Sequence, residues 1–448
     1  MDEAGRINLL RRLSLFDNPQ IDFILSLDNG ANFSHKRFTK IFEIMKILSV
    51  FGTRPEAIKM APVVKALAKA PSIDSRVCVT GQHRSMLDDV MSALSIKADY
   101  DLDVMQSNQG LSEVFARILC GLDPILAAWK PDFVLVQGDT ASSTAAAMAA
   151  FYRHIRVGHI EAGLRTGDMA SPWPEEGNRR LTAVVATRHY APTDRARSAL
   201  LAEGYAAPTI QVTGNTVIDT LMQTVAAVER EGPLKRKLNA EFAWIPTDKR
   251  LVLVTGHRRE NFGVGLQNIC RALSMLSTRR DVQIVFPVHL NPNVRDAVFP
   301  LLGNKPNIKL IEPLDYPRFV AMMARSHLIL TDSGGIQEEA PALRKPVLVM
   351  RDTSERPEAI EAGVARLVGT QAADIVAGVS ALLDDPLHYA AMANGASPFG
   401  DGQASARIVA DLLCQIDEPA NEPSSGFHPA FARPRIETGH TAREGHLQ

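Results

Sequence analysis

The sequence predicts an α/β fold built from two successive doubly wound halves. Three observations carry that expectation. From Met45 to about Ile416, short apolar runs alternate with helical patterns, the signature of βαβ units and parallel sheets. The series runs twice, and the stretch from Asn215 to about Asp248 between the two is helical and charged. Polar residues and glycines collect where the strand runs stop, the edge at which open α/β sheets bind ligands. The chain has 448 residues, enough for two or three domains at about 150 residues each.

Residues 1–44 read differently. INLLRRLSLF is weakly amphipathic and leads into a polar stretch with Asp28, Asn29 and Gly30. The expectation is an N-terminal extension, from a start codon assigned upstream of the real one, with a regulatory arm as the alternative. A first half then spans 45–214. Its strands are KILSVF (46–51), RVCVTG (76–81), FVLVQG (133–138), IRVGHI (155–160), RHYAPT (188–193) and TIQVTG (209–214). Between them lie helical patterns such as IKMAPVVKALAK and LSEVFARILCGLDPILAAW. A second half spans 215–395, with strands LVLVTG (251–256), QIVFPV (283–288), IKLIEP (308–313), HLILTD (327–332) and PVLVMR (346–351). Residues 396–416 hold a helix expected to pack back on the first half. Residues 417–448 are rich in Pro, Ser and charge, lack periodicity, and read as a disordered tail.

Composition narrows the class of function. The chain is 46% hydrophobic and 22% charged, ordinary for a globular protein. With 49 basic and 50 acidic residues it carries no bulk charge that would draw nucleic acid or an anionic membrane. No apolar run reaches the roughly 18 residues of a membrane helix, and the start MDEAGR lacks a signal-peptide core. The four cysteines are widely spaced without a CxxC pair. Cys78 and Cys270 fall in apolar patterns, so buried thiols in a reducing cytoplasm are expected.

The chemistry concentrates at strand ends. Gly158–Arg180, GHIEAGLRTGDMASPWPEEGNRR, leaves a strand and at once carries Glu161, Arg165, Asp168, Glu175, Glu176, Arg179 and Arg180. It reads either as a site or as a solvated loop with local ion pairs. FVLVQGDT puts Asp139 at another strand end, so Asp139, Glu161 and Glu175 are three acids that the topology can bring to one crevice. Carboxylates in different environments are how one site supplies both an acid and a base. At the first strand end, FGTRPEAIKMAP, Thr53 suits an N-cap and Pro55 the first helical turn. Arg54 and Lys59 add cationic donors suited to a diphosphate. A neatly capped helix is the plainer reading of that motif.

The second half is sharper. HLILTD ends at Ser333-Gly334-Gly335 and a helix starts immediately, a turn that admits close approach of a ligand. Glu338 and Glu339 lie one turn in, within reach of a ribose, and Arg356 follows in the next strand-end loop. This pattern favours a nucleotide diphosphate over a plain turn. It matches neither GxGxxG nor the lysine-bearing P-loop, so neither NAD nor ATP is indicated. His257, Arg258, Arg259 and Glu260 follow the strand LVLVTG, where the histidine suits a place beside phosphate. No GxSxG, HExxH or Cys/His cluster marks a serine nucleophile or a metal.

Taken together, FGTRPEAIKMAP, QGDT, GHIEAGLRTGD, SPWPEEGNR, TGNTVIDT, TGHRREN, PVHLNPNV and LTDSGGIQEEAP with KPVLVMRDTSERPEA resemble the non-hydrolysing bacterial UDP-N-acetylglucosamine 2-epimerases. The resemblance runs in order from about Met45 to about Ile416. It implies two Rossmann-like domains around a central cleft, a glycosyltransferase-B-like fold, and a cytoplasmic homodimer without cofactor or metal. It implies interconversion of UDP-N-acetylglucosamine and UDP-N-acetylmannosamine for surface polysaccharide. Asp139, Glu161, Glu175 and His257 match the family's catalytic positions. Arg54, Lys59, Arg179, Ser333, Gly334, Gly335, Glu339 and Arg356 match UDP or sugar contacts. Gln82, His83, Gln109, Arg258 and His289 match an adjacent activating site, although Asn108 stands where some members carry Arg.

The residues fit such a reaction independently. C2 of the sugar has no adjacent carbonyl to acidify its proton, and no nicotinamide motif offers a transient ketone. Elimination of UDP to 2-acetamidoglucal and re-addition remains, and it needs proton-transfer groups on two faces of C2. The competing readings are a hydrolysing epimerase, a glycosyltransferase-B enzyme using a UDP-sugar donor, and a non-catalytic sugar-nucleotide sensor.

Overall fold

The computed structural model describes residues 44–82, 84–106 and 109–415. From Met45 on, the described residues form one compact unit. The expectations for residues 1–43, His83, Asn108 and the tail lie outside the described residues.

Two all-parallel sheets organise the chain. The first is seven-stranded: β1 (Met45–Phe51), β2 (Ile73–Val79), β3 (Tyr100–Asp101), β4 (Phe133–Gln137), β5 (Arg156–Ile160), β6 (Arg188–Ala191) and β7 (Ile210–Val212). Its spatial order is β3-β2-β1-β4-β5-β6-β7. The second contains β8 (Arg250–Thr255), β9 (Val282–Pro287), β10 (Ile308–Ile311), β11 (Leu328–Thr331), β12 (Val347–Val349) and β13 (Ala365–Leu367), ordered β10-β9-β8-β11-β12-β13. Both have the doubly wound order, in which the winding reverses at one place: between β1 and β4, and between β8 and β11. The strands are near-continuous apolar runs because helices cover both sheet faces; in β4 all five residues are buried. Two strands escape the sequence reading, β3 and β13, and the expected strand ends at 80–81, 192–193, 213–214 and 350–351 are loop. Those trailing residues lie past the last ladder pair, and they carry the polar groups.

Each switch point is followed by a tight turn into a helix. After β1, Thr53 caps helix Arg54–Leu67 in a full capping box with Glu56, whose carboxylate accepts from the backbone of Gly52 (2.9 Å) and Thr53 (2.8 Å) and from the Thr140 hydroxyl (2.6 Å). The one acid thus fixes the loops after β1 and β4 together. Gly52 is required there: a Cβ would sit 1.9 Å from the Thr80 hydroxyl.

The chain crosses between the sheets twice, and the crossings run side by side. Asn215 N donates to Phe399 O at 2.7 Å, and a Cβ on Gly400 (φ +118°) would come within 3.1 Å of the Gly214 Cα. The returning helix Ala404–Cys414 sets Asp411 against Arg188 and the Tyr190 hydroxyl (3.0 Å) of β6. Its N-terminus is capped by Asp219, which accepts from Ala404 N (3.1 Å) and Ser405 N (2.7 Å). Cys78 and Cys270 are buried, Cys120 and Cys414 exposed. Burial pushes the Cys78 and Cys270 thiols up to about 12, so they stay protonated.

Candidate active site

A cleft of about 350 Å³ opens at the switch point of the first sheet. Lys59, Gln82, Asp139, Glu161 and Glu175 all line it, with Thr53, Glu56 and Asn178. The topology therefore brings the three acids of the sequence reading to one wall. Asp139 follows β4, Glu161 follows β5, and Glu175 begins helix Glu175–Val185. Glu161 adopts φ 64°, a left-handed conformation uncommon for a non-glycine residue and frequent at functional sites.

The three acids have different surroundings. Glu161 pairs with the Lys59 ammonium and accepts from Asn215 Nδ2 at 2.9 Å. Burial alone would push its carboxyl up. Lys59, Arg356 and the hydrogen bonds from Lys59 and Asn215 outweigh this and hold it below the usual glutamate range. For Lys59, burial would depress the ammonium, but Glu161 and Glu338 hold it above the ordinary lysine range. Asp139 meets Arg179 twice, at 2.8 Å from Nε and 2.7 Å from Nη2. Burial raises its carboxyl above the usual range; Arg179 opposes the shift and Glu161 adds to it. Asn178 Nδ2 holds the Asp139 backbone carbonyl at 2.8 Å. Glu175 keeps one buried oxygen, Oε2, without a hydrogen-bond partner among the described residues.

The loop 161–174 divides between the two readings it allowed. Glu161, Glu175 and Arg179 turn to the cleft. Arg165 pairs with Glu203 at 2.8 Å, Asp168 caps its own turn, and Trp173 is 68% exposed. Glu176 is fully buried and structural, accepting from Thr166 N (3.1 Å), Arg179 (3.3 Å) and Arg180 (3.1 Å).

The second sheet contributes a matching edge. Asp332, at the end of β11, is buried and its Oδ2 accepts from His257 N (2.9 Å), Arg258 N (2.9 Å) and Asn261 Nδ2 (3.1 Å). One carboxylate thus shapes the loop after β8. The His257 ring lies with Nδ1 3.3 Å from Asp332 Oδ1 and stacks on His289 at 5.8 Å between centroids. Burial lowers the His257 pKa; Asp332 opposes this, while Arg258, His289 and Arg54 add to it. Of these, Arg54 comes from helix Arg54–Leu67 after β1. Ser333 precedes helix Gly334–Ala342 and its hydroxyl makes no capping bond. A Cβ on Gly334 would meet Arg258 Nη2 at 3.7 Å and one on Gly335 would meet nothing within 4 Å. Neither glycine has a positive φ, so backbone conformation does not demand them; the space they leave is open.

Behind this edge, Glu338 is buried against Arg356 and lies 3.8 Å from Lys59. Glu339 accepts from the Tyr316 hydroxyl at 3.3 Å. Burial raises the Glu339 carboxyl to about 8, with Glu338 adding to the shift and Tyr316 and Lys59 opposing it. Of the residues matched to an activating site, Gln82 lines the cleft and accepts from Ser142 Oγ at 2.8 Å. Arg258 pairs with Glu355 (3.3 Å) and His289 stacks on His257, both on the second sheet's edge. Gln109 contacts Met105 and is not among the cleft residues. Sequence reasoning passed over Asp332, Asn215 and Glu56. Asp332 and Asn215 follow strands, Glu56 lies in the first turn of helix Arg54–Leu67, and each turns its side chain to backbone N–H groups. Among the described residues, no group of three or more His, Cys, Asp or Glu is placed to hold a metal. None of the described helices is long and apolar enough to cross a membrane.

Comparison with known proteins gives one answer. Residues 65–413 match the family model described as UDP-N-acetylglucosamine 2-epimerase. The UDP-N-acetylglucosamine 2-epimerase of Escherichia coli (strain K12) is 57% identical over 369 residues, 82% of this chain and 98% of the relative. The crystal structure of UDP-GlcNAc 2-epimerase from Neisseria meningitidis bound to UDP-GlcNAc superposes with a TM-score of 0.78 at 50% identity, covering 83% of this chain and all of that one. The enzyme from Methanocaldococcus jannaschii in complex with UDP-GlcNAc and UDP gives 0.70 at 34% identity over 83% of this chain and 100% of that one. A glycosyltransferase from Rickettsia africae, 15% identical, shares the fold alone, with a TM-score of 0.56, covering 83% of this chain and 98% of that one. With both sheets, their switch points and the length of the match in agreement, the chain belongs to the UDP-N-acetylglucosamine 2-epimerases, a family of isomerases.

Proposed function

We propose that this chain reversibly epimerises UDP-N-acetylglucosamine at C2, by eliminating UDP to 2-acetamidoglucal and adding it back. The observation that carries the reading is the cleft that gathers Lys59, Asp139, Glu161 and Glu175 on one lining. C2–H deprotonation and C1–O cleavage must be matched by proton return to the opposite face, so two groups in unlike protonation states are needed. Glu161, paired with Lys59, is the proton acceptor of the scheme, and Asp139, on the same cleft and paired with Arg179, serves the other face of C2. The leaving diphosphate is met by Arg54 and the N-terminus of helix Gly334–Ala342 with Ser333. Glu339 takes the ribose. His257, held against Asp332 at the second sheet's edge, donates to the diphosphate. Two domains, 45–214 and 215–395, close around the substrate, and the product serves surface polysaccharide synthesis in the cytoplasm, with the enzyme a homodimer.

Turnover in deuterium oxide tests the mechanism. Deuterium is expected at C2 of the sugar without added NAD or metal, and prolonged incubation is expected to release some UDP and 2-acetamidoglucal. Glu161→Gln should lose on the order of 10²–10⁴-fold in kcat while binding UDP-sugar normally. Epimerised product without deuterium at C2 sinks the scheme, and free N-acetylmannosamine as main product would mark the hydrolysing reaction instead.

A further inference from the structure

Asn215 uses every polar atom it has. It stands at the first crossover between the sheets and is 2% exposed. Its backbone N–H donates to Phe399 O of the return crossover. Its side-chain Oδ1 accepts from Val217 N at 3.1 Å and caps helix Thr216–Glu229. Its Nδ2 donates to two carboxylates from different halves, Glu161 Oε2 at 2.9 Å and Glu338 Oε2 at 3.3 Å. Lys59 lies between the same two oxygens, paired with Glu161 and 3.8 Å from Glu338.

The cap alone does not explain an amide. Ser, Thr or Asp would accept from the helix as well. Of these only Asn combines an acceptor with two N–H donors on one planar group. What the amide adds is donation to Glu161 and Glu338 at once. The two acids could not sit so near each other buried without shared donors, since like charges repel strongly in a low-dielectric interior. The groups facing Glu161 are Lys59, Arg356, Asp139 and His159, with Glu338 reached through Asn215.

We propose that Asn215 is a positioning residue for the reaction, orienting Glu161 and tying its hydrogen bonding to Glu338 of the second half. The proposal rests on the reading above that Glu161 takes part in catalysis. Because Asn215 lies where the chain crosses over, any change in how the halves meet alters which carboxylate its amide serves. Glu338 is then the second half's counterpart in the clamp.

The experiment compares Asn215→Ala, Asn215→Asp and Glu161→Gln in the full chain, measuring kcat and KM across pH together with thermal stability. Asn215→Ala removes a donor from an ionised carboxylate, so the acid limb of kcat is expected to move up by about one pH unit while KM changes little. Asn215→Asp keeps the helix cap but replaces the donors with a third carboxylate. Its limb is expected to move up further, with stability closer to the parent than that of the alanine variant. If Asn215 were only a cap, the alanine variant would lose stability while keeping the parent pH profile, and that result overturns the proposal. Should Asn215→Ala not fold, the aspartate variant still decides the matter. Glu161→Gln separates the two readings: normal turnover in that variant overturns the catalytic role itself, whereas an inactive Glu161→Gln beside an unshifted Asn215→Asp overturns the positioning role alone.

Discussion

At the residue scale, Glu339 makes a prediction with a definite sign. Its folded pKa is raised to about 8 from an ordinary 4.5, burial being the main cause. Such a group contributes stability that is fully present below the unfolded pKa and is lost as pH rises through the folded one. The parent protein should therefore lose stability between about pH 4.5 and pH 8, by at most about 5 kcal/mol from this residue. Glu339→Gln keeps the shape and removes the titration, so its melting temperature should gain on the parent's as pH rises across that window. Parallel melting curves for the two proteins from pH 5 to pH 8 would exclude this. Calorimetry on the same variant tests the ribose assignment, which requires weakened UDP binding.

At the element scale, the loop after β8 hangs on Asp332. Three hydrogen bonds converge on its Oδ2, two of them from backbone N–H groups that have no helix or strand to serve them. Asp332→Ala should cost at least about 3 kcal/mol in urea denaturation and weaken UDP binding, because His257 and Arg258 lose their frame. A change below about 0.5 kcal/mol would remove Asp332 from this role. The same residue explains what the sequence could and could not tell. Strand identity was legible, because apolar runs such as FVLVQ sit between covered sheet faces and have no alternative. Asp139 and Glu161 were legible as strand-end acids, and Glu175 as an acid of the polar stretch that follows. β3 and β13 were not, since two or three residues carry no periodicity. Asp332, Asn215 and Glu56 were not, because an inward carboxylate or amide bonded to backbone has the same sequence appearance as a solvated loop residue. Lys59 and Arg356 were read as diphosphate donors. The fold pairs both with buried carboxylates, a charge balance that only long-range contact creates.

At the scale of the whole molecule, β1 begins at Met45 and the described residues from there on form one compact unit. Removing residues 1–44 should therefore leave melting temperature and turnover nearly unchanged; a large loss of either would show the segment to be structural. The closing motion proposed above is expected to turn on the paired crossovers. Gly214 and Gly400 touch backbone to backbone, both at positive φ, so the two connections can bend together only while neither carries a side chain. On the same side, Thr193 donates to Glu358 (3.1 Å) and Arg195 pairs with Glu361 (2.9 Å), bonds between the halves that a rotation about the crossovers can preserve. Across the cleft, Lys59 and Asn215 touch carboxylates of both halves, and closure must re-partition those contacts. Binding of UDP-N-acetylglucosamine should accordingly reduce the radius of gyration seen by X-ray scattering. Gly400→Val should lower stability through strain at φ +118° and its clash with Gly214. In that variant the ligand-induced compaction should shrink and kcat should fall more than UDP affinity, because under the proposed reading Ser333 and Glu339, which take the nucleotide, both lie in the second half. Full compaction with an unchanged kcat in Gly400→Val would move the hinge elsewhere in the chain.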